Sequence, residues 1–106
     1  MTPTYRWTGR SGTGYYYEIY PIETAMADLP GNYVLCRPVE GGWEPLYFGE
    51  AESLAGQCTG AHPAWRAATE QGATHIHAKV TQGGEQKRRA EQADLRGAHE
   101  TTADDR

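Results

Sequence analysis

Apolar and aromatic residues gather in short runs that are separated by glycine and proline. Four runs are rich in tyrosine, valine and isoleucine or alternate with polar residues, at 15–20, 32–37, 46–49 and 73–80. Runs of this length and composition are typical of strands. The second and third runs flank the segment 38–45, which contains two adjacent glycines. They therefore predict an antiparallel hairpin with a loop longer than a tight turn.

The remaining segments predict helices of unequal strength. The best lies at 63–71, where proline stands in the first turn and Gly72 follows the last residue. Residues 85–99 are helix-forming and charged on most sides, and the inward positions are expected to be Ala90, Ala93 or Asp94, and Leu95. A helical turn at 22–29 and a weak helix at 50–57 complete the set.

The order of these elements predicts a small mixed α+β domain. Its sheet has three antiparallel strands plus one N-terminal strand, and helices flank the sheet. The domain spans 15–99, after a polar arm with a turn at 1–14 and before a polar tail at 100–106. A chain of 106 residues is one domain's worth of protein.

Composition and charge narrow the functional classes. No stretch approaches the roughly 20 apolar residues that cross a bilayer, and the start lacks a basic region followed by an apolar one. Cys36 and Cys58 have no metal-type spacing, which predicts reduced packing residues and a cytoplasmic protein. The net charge of −4 argues against tight non-specific DNA binding, although a local basic face remains compatible with it.

Five segments resemble the GIY-YIG nuclease superfamily in order and spacing. The segments PGNYV at 30–34 and LYFG at 46–49 resemble its paired motif, with Asn32 and Phe48 in place of the middle apolar residues. The resemblance continues through GEAESL at 49–54, GATHIH at 72–77 and RRAEQADL at 88–95.

The resemblance implies metal-assisted phosphodiester hydrolysis. In the family one Mg²⁺ held by a helix glutamate polarises the phosphate, while a tyrosine pair and an arginine position water and offset charge. The tyrosines correspond to Tyr33, the general-base candidate, and Tyr47. A family histidine corresponds to His62, which is also typical of a helix-start residue. The arginine position holds Gln57 and the glutamate position holds Gln92.

These substitutions predict a catalytically impaired site. Glutamine is a weak Mg²⁺ ligand beside a carboxylate, and it lacks the charge and bidentate fork of arginine. Losing one such contact costs on the order of 10²–10³ in rate. The family's terminal Pro-Pro-x-Asn element is also replaced, by TTAD at 101–104. We therefore expect no cofactor, or Mg²⁺ held weakly if the domain is active.

An alternative alignment keeps an active site. In that alignment Glu91, the residue before Gln92, takes the position of the metal ligand. Adjacent helical residues point about 100° apart, so a local irregularity of the helix would have to turn Glu91 towards the site. Arg66 would then supply the missing cation. His75 and His77 alternate on one strand without a third ligand at a useful spacing, so they predict a surface or cross-strand role.

Three functional hypotheses follow. The first is a binding module without turnover, for a protein partner or for nucleic acid. The second is a Mg²⁺-dependent, structure-specific DNA endonuclease that uses Tyr33, Tyr47 and Glu91. The third is an acidic inhibitor or decoy protein. The oligomeric state stays open, and the candidate nucleic-acid contacts are Arg37, Lys79, Lys87, Arg88 and Arg89.

Overall fold

A computed structural model describes residues 2–99 and shows an α+β fold, which confirms the predicted class. All strand pairs are antiparallel, in the order β1-β2-β5-β3-β4. The sheet therefore has one strand more than expected. The elements are β1 Thr4–Thr8, β2 Gly14–Pro21, β3 Gly31–Val39, β4 Gly42–Ala51, α1 Leu54–Gln57, α2 Pro63–Glu70, β5 His75–Val80 and α3 Glu85–Ala98.

The sheet separates two hydrophobic clusters. Successive strand residues point to opposite faces, so Tyr33 and Leu35 join the cluster under α1 and α2. Val34 and Cys36 join the cluster on the opposite face, which also contains Leu95 of α3. Helices thus cover both faces, and β3 is buried on both sides.

The hairpin between β3 and β4 is tighter than the sequence predicted. Val39 pairs with Gly42, so only two residues form the turn, and Gly41 adopts a φ of +84° that favours glycine. The expected loop at 38–45 is therefore wrong. Pro45, expected at the end of that loop, lies within β4 instead. It is tolerated because β4 is an edge strand and the register shifts beside it.

The N-terminal segment contains a strand that was predicted as an arm. Residues 4–8 pair with β2, and Trp7 is only 2% exposed. The predicted turn lies between β1 and β2, at 9–13. The predicted polar tail at 100–106, with the TTAD segment, lies outside the described residues.

The segment 22–29 forms no helix, contrary to expectation. Its backbone carbonyls instead serve the start of α1. Leu29 O accepts from Leu54 N at 2.9 Å, and Ala27 O accepts from Ala55 N at 3.1 Å. These bonds satisfy amides that a helix start leaves without internal partners, which holds the loop against α1.

Two helices begin at side-chain caps. Ser53 Oγ accepts from Gly56 N at 3.1 Å to cap α1, which is shorter than predicted because residues 50–51 belong to β4. His62 Nδ1 accepts from Ala64 N at 3.1 Å to cap α2, with Pro63 in the first position.

Helix α3 turns a different side inward from the one predicted. Leu95 is buried as expected, whereas Ala90 and Ala93 are exposed. The other buried residues are Arg88 and Glu91. The helix therefore rests on the sheet through charged side chains as well as through leucine.

No helix within residues 2–99 has the length and apolar character needed to span a bilayer.

Candidate functional site

Tyr33 and Tyr47 form a packed pair on the α1/α2 face. Their ring centroids are 6.0 Å apart, and the residues are 2% and 5% exposed. Gly49 lies opposite Tyr33 in the hairpin, and a Cβ at that position would meet the Tyr33 ring at 2.3 Å. The glycine therefore makes room for the ring. The structure brings together the two tyrosines that the sequence singled out.

Tyr47 has two further neighbours of interest. The His62 ring centroid lies 6.2 Å from that of Tyr47, so the structure brings the predicted histidine to the pair. The guanidinium carbon of Arg96 lies 5.3 Å from the Tyr47 ring centroid. Sequence analysis missed Arg96. It stands one helical turn after Gln92, and this i, i+4 spacing was the available signal. Arg66, the predicted substitute cation, is exposed on α2.

The Gln92 amide fastens α3 to the edge strand β4. Its Nε2 donates to the Phe48 carbonyl at 3.0 Å, and Arg96 Nη2 donates to the same oxygen at 3.2 Å. Phe48 is the residue after Tyr47, so Gln92 does lie close to the tyrosine strand. Its donor group serves a structural hydrogen bond there.

Gln57 opens onto an acidic cleft of 460 Å³. Glu50, Glu52 and Glu85 line this cleft together with Arg88. Arg88 Nε is bound to Glu50 Oε1 at 3.0 Å, so the lining arginine is already neutralised. The position that resembles the family's arginine therefore lies in a negative environment.

Glu91 lies on the opposite face of the sheet from the tyrosine pair and is 5% exposed. Tyr17 Oη donates to its Oε2 at 2.5 Å, and Lys79 Nζ donates to its Oε1 at 2.8 Å. Burial, followed by the Glu91 charge, raises the pKa of Tyr17 far above its ordinary value. Tyr17 is therefore the proton donor in this contact, and both carboxylate oxygens are engaged.

Carboxylates within the chain pair four of the five predicted nucleic-acid contacts. Arg37 pairs with Glu44, Lys79 with Glu91, and Arg88 with Glu50. Arg89 pairs with Glu85 at 2.6 Å. These pairs reduce the positive potential that a phosphate backbone would meet.

Asn32, the substituted residue of the first motif, has a structural role. It is 1% exposed, and its Nδ2 donates to the Arg88 carbonyl at 2.9 Å. An isoleucine at this position would lack that donor. Asn32 therefore helps to fix the position of α3 against β3.

His77 is fully buried rather than on the surface, so only the cross-strand part of its predicted role agrees with the structure. Its Nδ1 accepts from Trp7 Nε1 at 3.0 Å, and the Trp43 ring lies 4.5 Å away. Burial, and secondarily His75, lowers the pKa of His77 to about 4. The ring is therefore neutral near pH 7 and carries its proton on Nε2.

Neither the histidines nor the cysteines build a metal centre in the part of the chain that the structure describes. Cys36 and Cys58 are free and buried, as predicted. Burial raises the pKa of Cys58 to about 12 and that of Cys36 further, so both thiols stay protonated at neutral pH.

The chain matches no family model, no curated protein and no solved structure. Its function is therefore indicated by the chemistry of its own residues.

Proposed function

We propose that this chain is a GIY-YIG nuclease-like domain that has lost phosphodiester cleavage and acts as a cytoplasmic binding module for a protein partner. The observation that carries the proposal is the environment of Gln57, which lines a cleft with three carboxylates and one arginine that is already ion-paired. The pair of buried reduced thiols suits the reducing conditions of the cytoplasm.

The acidic cleft disfavours a phosphodiester substrate. Phosphoryl chemistry depends on preorganised cations at the oxygens where charge develops. Glu50 is paired with Arg88 and Glu85 with Arg89, so these cations are already engaged, and Glu52 adds a further negative charge. A nucleic acid entering beside Gln57 would therefore meet no unpaired cation among the residues that line the cleft.

Within residues 2–99, neither candidate position, Gln92 or Glu91, offers the tyrosine pair a Mg²⁺ ligand. Mg²⁺ binds through one or two carboxylates and water. The aligned residue is the neutral Gln92, which donates to the Phe48 carbonyl. The adjacent Glu91 lies under the other face, bound to Tyr17 and Lys79. These two positions therefore do not fit the metal, which counts against the endonuclease hypothesis.

The test restores charge at both glutamines. We expect the parent chain to leave supercoiled plasmid and branched DNA intact with Mg²⁺ or Mn²⁺. Gln57→Arg combined with Gln92→Glu should introduce weak nicking, because it returns a cation and a metal-binding carboxylate to the two positions that the resemblance assigns to them. Nicking is measured by gel electrophoresis over time.

A charge-matched control combines Gln57→Arg with Gln86→Glu, since Gln86 is exposed on α3, the helix that also contains Gln92. This variant should stay inactive. Tyr33→Phe in the restored background should remove the gained activity. Cleavage by the parent that Glu91→Gln abolishes would overturn the proposal in favour of the endonuclease.

A further inference from the structure

Exposed apolar side chains concentrate on one part of the molecule. Among residues 2–99, four large hydrophobic residues are exposed, and three of them are Tyr16 at 64%, Leu29 at 42% and Val80 at 46%. The fourth, Val39, lies at the hairpin end of β3. We define the open face as Tyr16, Tyr20, Met26, Leu29 and Val80.

The helix arrangement leaves this part of the sheet uncovered. Helices α1 and α2 pack mainly against β3 and β4. Glu18 pairs with Ala78, and continuing this antiparallel register by two residues places Tyr16 level with Val80 on the same side. The open face is therefore the half of the α1/α2 side that β2 and β5 form.

Two clefts meet at Ala25 and Met26, the first on the open face and the second beside it. The first, of 360 Å³, is lined by Tyr20, Leu29 and Val80 among others. The second, of 590 Å³, reaches towards Trp65. Methionine is flexible and polarisable, so a ridge at Met26 adapts to varied apolar side chains. Together the two clefts have room for more than one bulky side chain of a ligand.

Acidic residues border this apolar surface. Glu18 lines the first cleft and Glu23 lines the second, while Asp28 is exposed in the loop between Met26 and the sheet. Among residues 2–99, the one cation that lines the two clefts is Lys79, and Glu91 pairs with it at 2.8 Å. The border is therefore negative, and it favours positive charge on whatever binds there.

We propose that the open face binds a basic amphipathic segment of a partner protein. Apolar side chains of that segment would fill the two clefts, and its lysines or arginines would lie beside Glu18, Glu23 and Asp28. The inference rests on the proposed function, in that the partner is a protein, and it adds the chemistry of that partner. A nucleic acid or a second copy of this chain would bring negative charge against the same carboxylates, which is unfavourable.

The experiment uses a fluorescein-labelled helical peptide of leucine and lysine, with leucines at i, i+3, i+4 and i+7 spacing. Fluorescence anisotropy measures its binding to the full chain. We expect saturable binding that is about tenfold tighter than for the same peptide with glutamate in place of lysine. Binding should weaken several-fold as salt rises from about 50 to about 300 mM, because screening reduces the attraction.

Paired variants locate the contact. Leu29→Ser and Val80→Ser should each weaken peptide binding about tenfold, since they remove apolar area from the clefts. Val39→Ser, at an equally exposed valine outside the open face, should leave binding unchanged. Glu18→Gln with Glu23→Gln should reduce the salt dependence, whereas Glu40→Gln in the hairpin turn should not. Thermal melts establish that each variant is folded.

Three outcomes would overturn the inference. They are equal binding of the lysine and glutamate peptides, equal losses in Val39→Ser and Val80→Ser, and no saturable binding at low salt. Sedimentation provides a further check, because a dimer that Val80→Ser dissociates would make the open face a self-association surface. The plasmid assay is independent of these measurements. A chain that neither cleaves DNA nor binds the peptide would lose this inference alone.

Discussion

His77 shows how burial converts a titratable side chain into part of the core. The ring sits between Trp7 and Trp43, and only its Nδ1 has a hydrogen-bond partner in the described chain. Charging the ring would place a cation among aromatic side chains and remove the acceptor that Trp7 uses. The pKa of His77 is accordingly about 4 instead of 6.5.

This shift predicts a loss of stability in mild acid. The unfolded chain binds a proton at His77 below about pH 6.5, while the folded chain binds it only near pH 4. The unfolded state thus holds more protons between these values, and the free energy of unfolding falls as the pH is lowered through them. The loss should approach about 3 kcal/mol at pH 4. Urea unfolding at a series of pH values measures it.

Matched variants separate this residue from other groups. His77→Phe should flatten the pH dependence between pH 6.5 and 4, although it lowers stability overall because Trp7 loses its acceptor. His75→Phe, at a partly exposed neighbour on the same strand, should keep the slope. An unchanged slope in His77→Phe would contradict the assignment.

The sequence predicted the tyrosine pair at this scale, but it missed Arg96 beside Tyr47 and the burial of His77 on the other face of the sheet. Tyr33 and Tyr47 are close in the chain and share a hairpin, so a short-range motif was enough to bring them together. The roles of Arg96 and His77 depend on which side of α3 faces β4 and on which strand lies beside β5. Those relations join residues far apart in the chain, and local pattern does not encode them.

At the scale of elements, helix α3 packs on the sheet through two buried charged side chains as well as Leu95, whereas a typical amphipathic helix packs through an apolar stripe. Glu91 bridges Tyr17 and Lys79, and Arg88 binds Glu50. Hydrophobic periodicity therefore selected Leu95 correctly but also the exposed Ala90 and Ala93, and it missed Arg88 and Glu91, since it counts apolar positions only. The partners of the helix charges stand on three different strands, which the sequence pattern did not connect to it.

Removing the Glu91 charge should destabilise the domain strongly. Glu91→Gln leaves a largely buried lysine without its counter-ion and weakens the acceptor for Tyr17. We expect a loss of about 2 to 4 kcal/mol in the free energy of unfolding. Chemical denaturation followed by tryptophan fluorescence reports it, because Trp7 lies in the same cluster under α3.

Glu85→Gln is the matched control on the same helix. Its pair with Arg89 is exposed, with side chains 58% and 67% accessible, so the change should cost under about 0.5 kcal/mol. Equal losses in the two variants would show that Glu91 contributes no more than a surface ion pair.

For the whole molecule, the distribution of charge bears on the proposed choice of partner. The net charge is −4, and four of the five candidate phosphate contacts are paired internally. The composition gave the net charge. It could not show that Lys79 pairs with Glu91 of α3, or that Arg88 and Arg89 pair with Glu50 and Glu85.

We therefore expect no stable complex with a labelled DNA duplex near 0.15 M salt. Any retention at low salt should show a shallow dependence on salt concentration, with a slope well below that of a protein that neutralises six or more phosphates, because few cations are available to displace counterions. Fluorescence anisotropy across a salt series tests this. Tight binding with a steep slope would favour nucleic acid as the partner.

The hydrogen bonds at the Phe48 carbonyl have a consequence for how the molecule behaves in crowded solution. Strand β4 is an edge strand, and such strands offer backbone groups to which another chain can add. Gln92 and Arg96 occupy one of these acceptors from α3. We therefore expect the helix to hinder the addition of another strand at that edge, and variants that loosen it should aggregate sooner than their lost stability alone would explain.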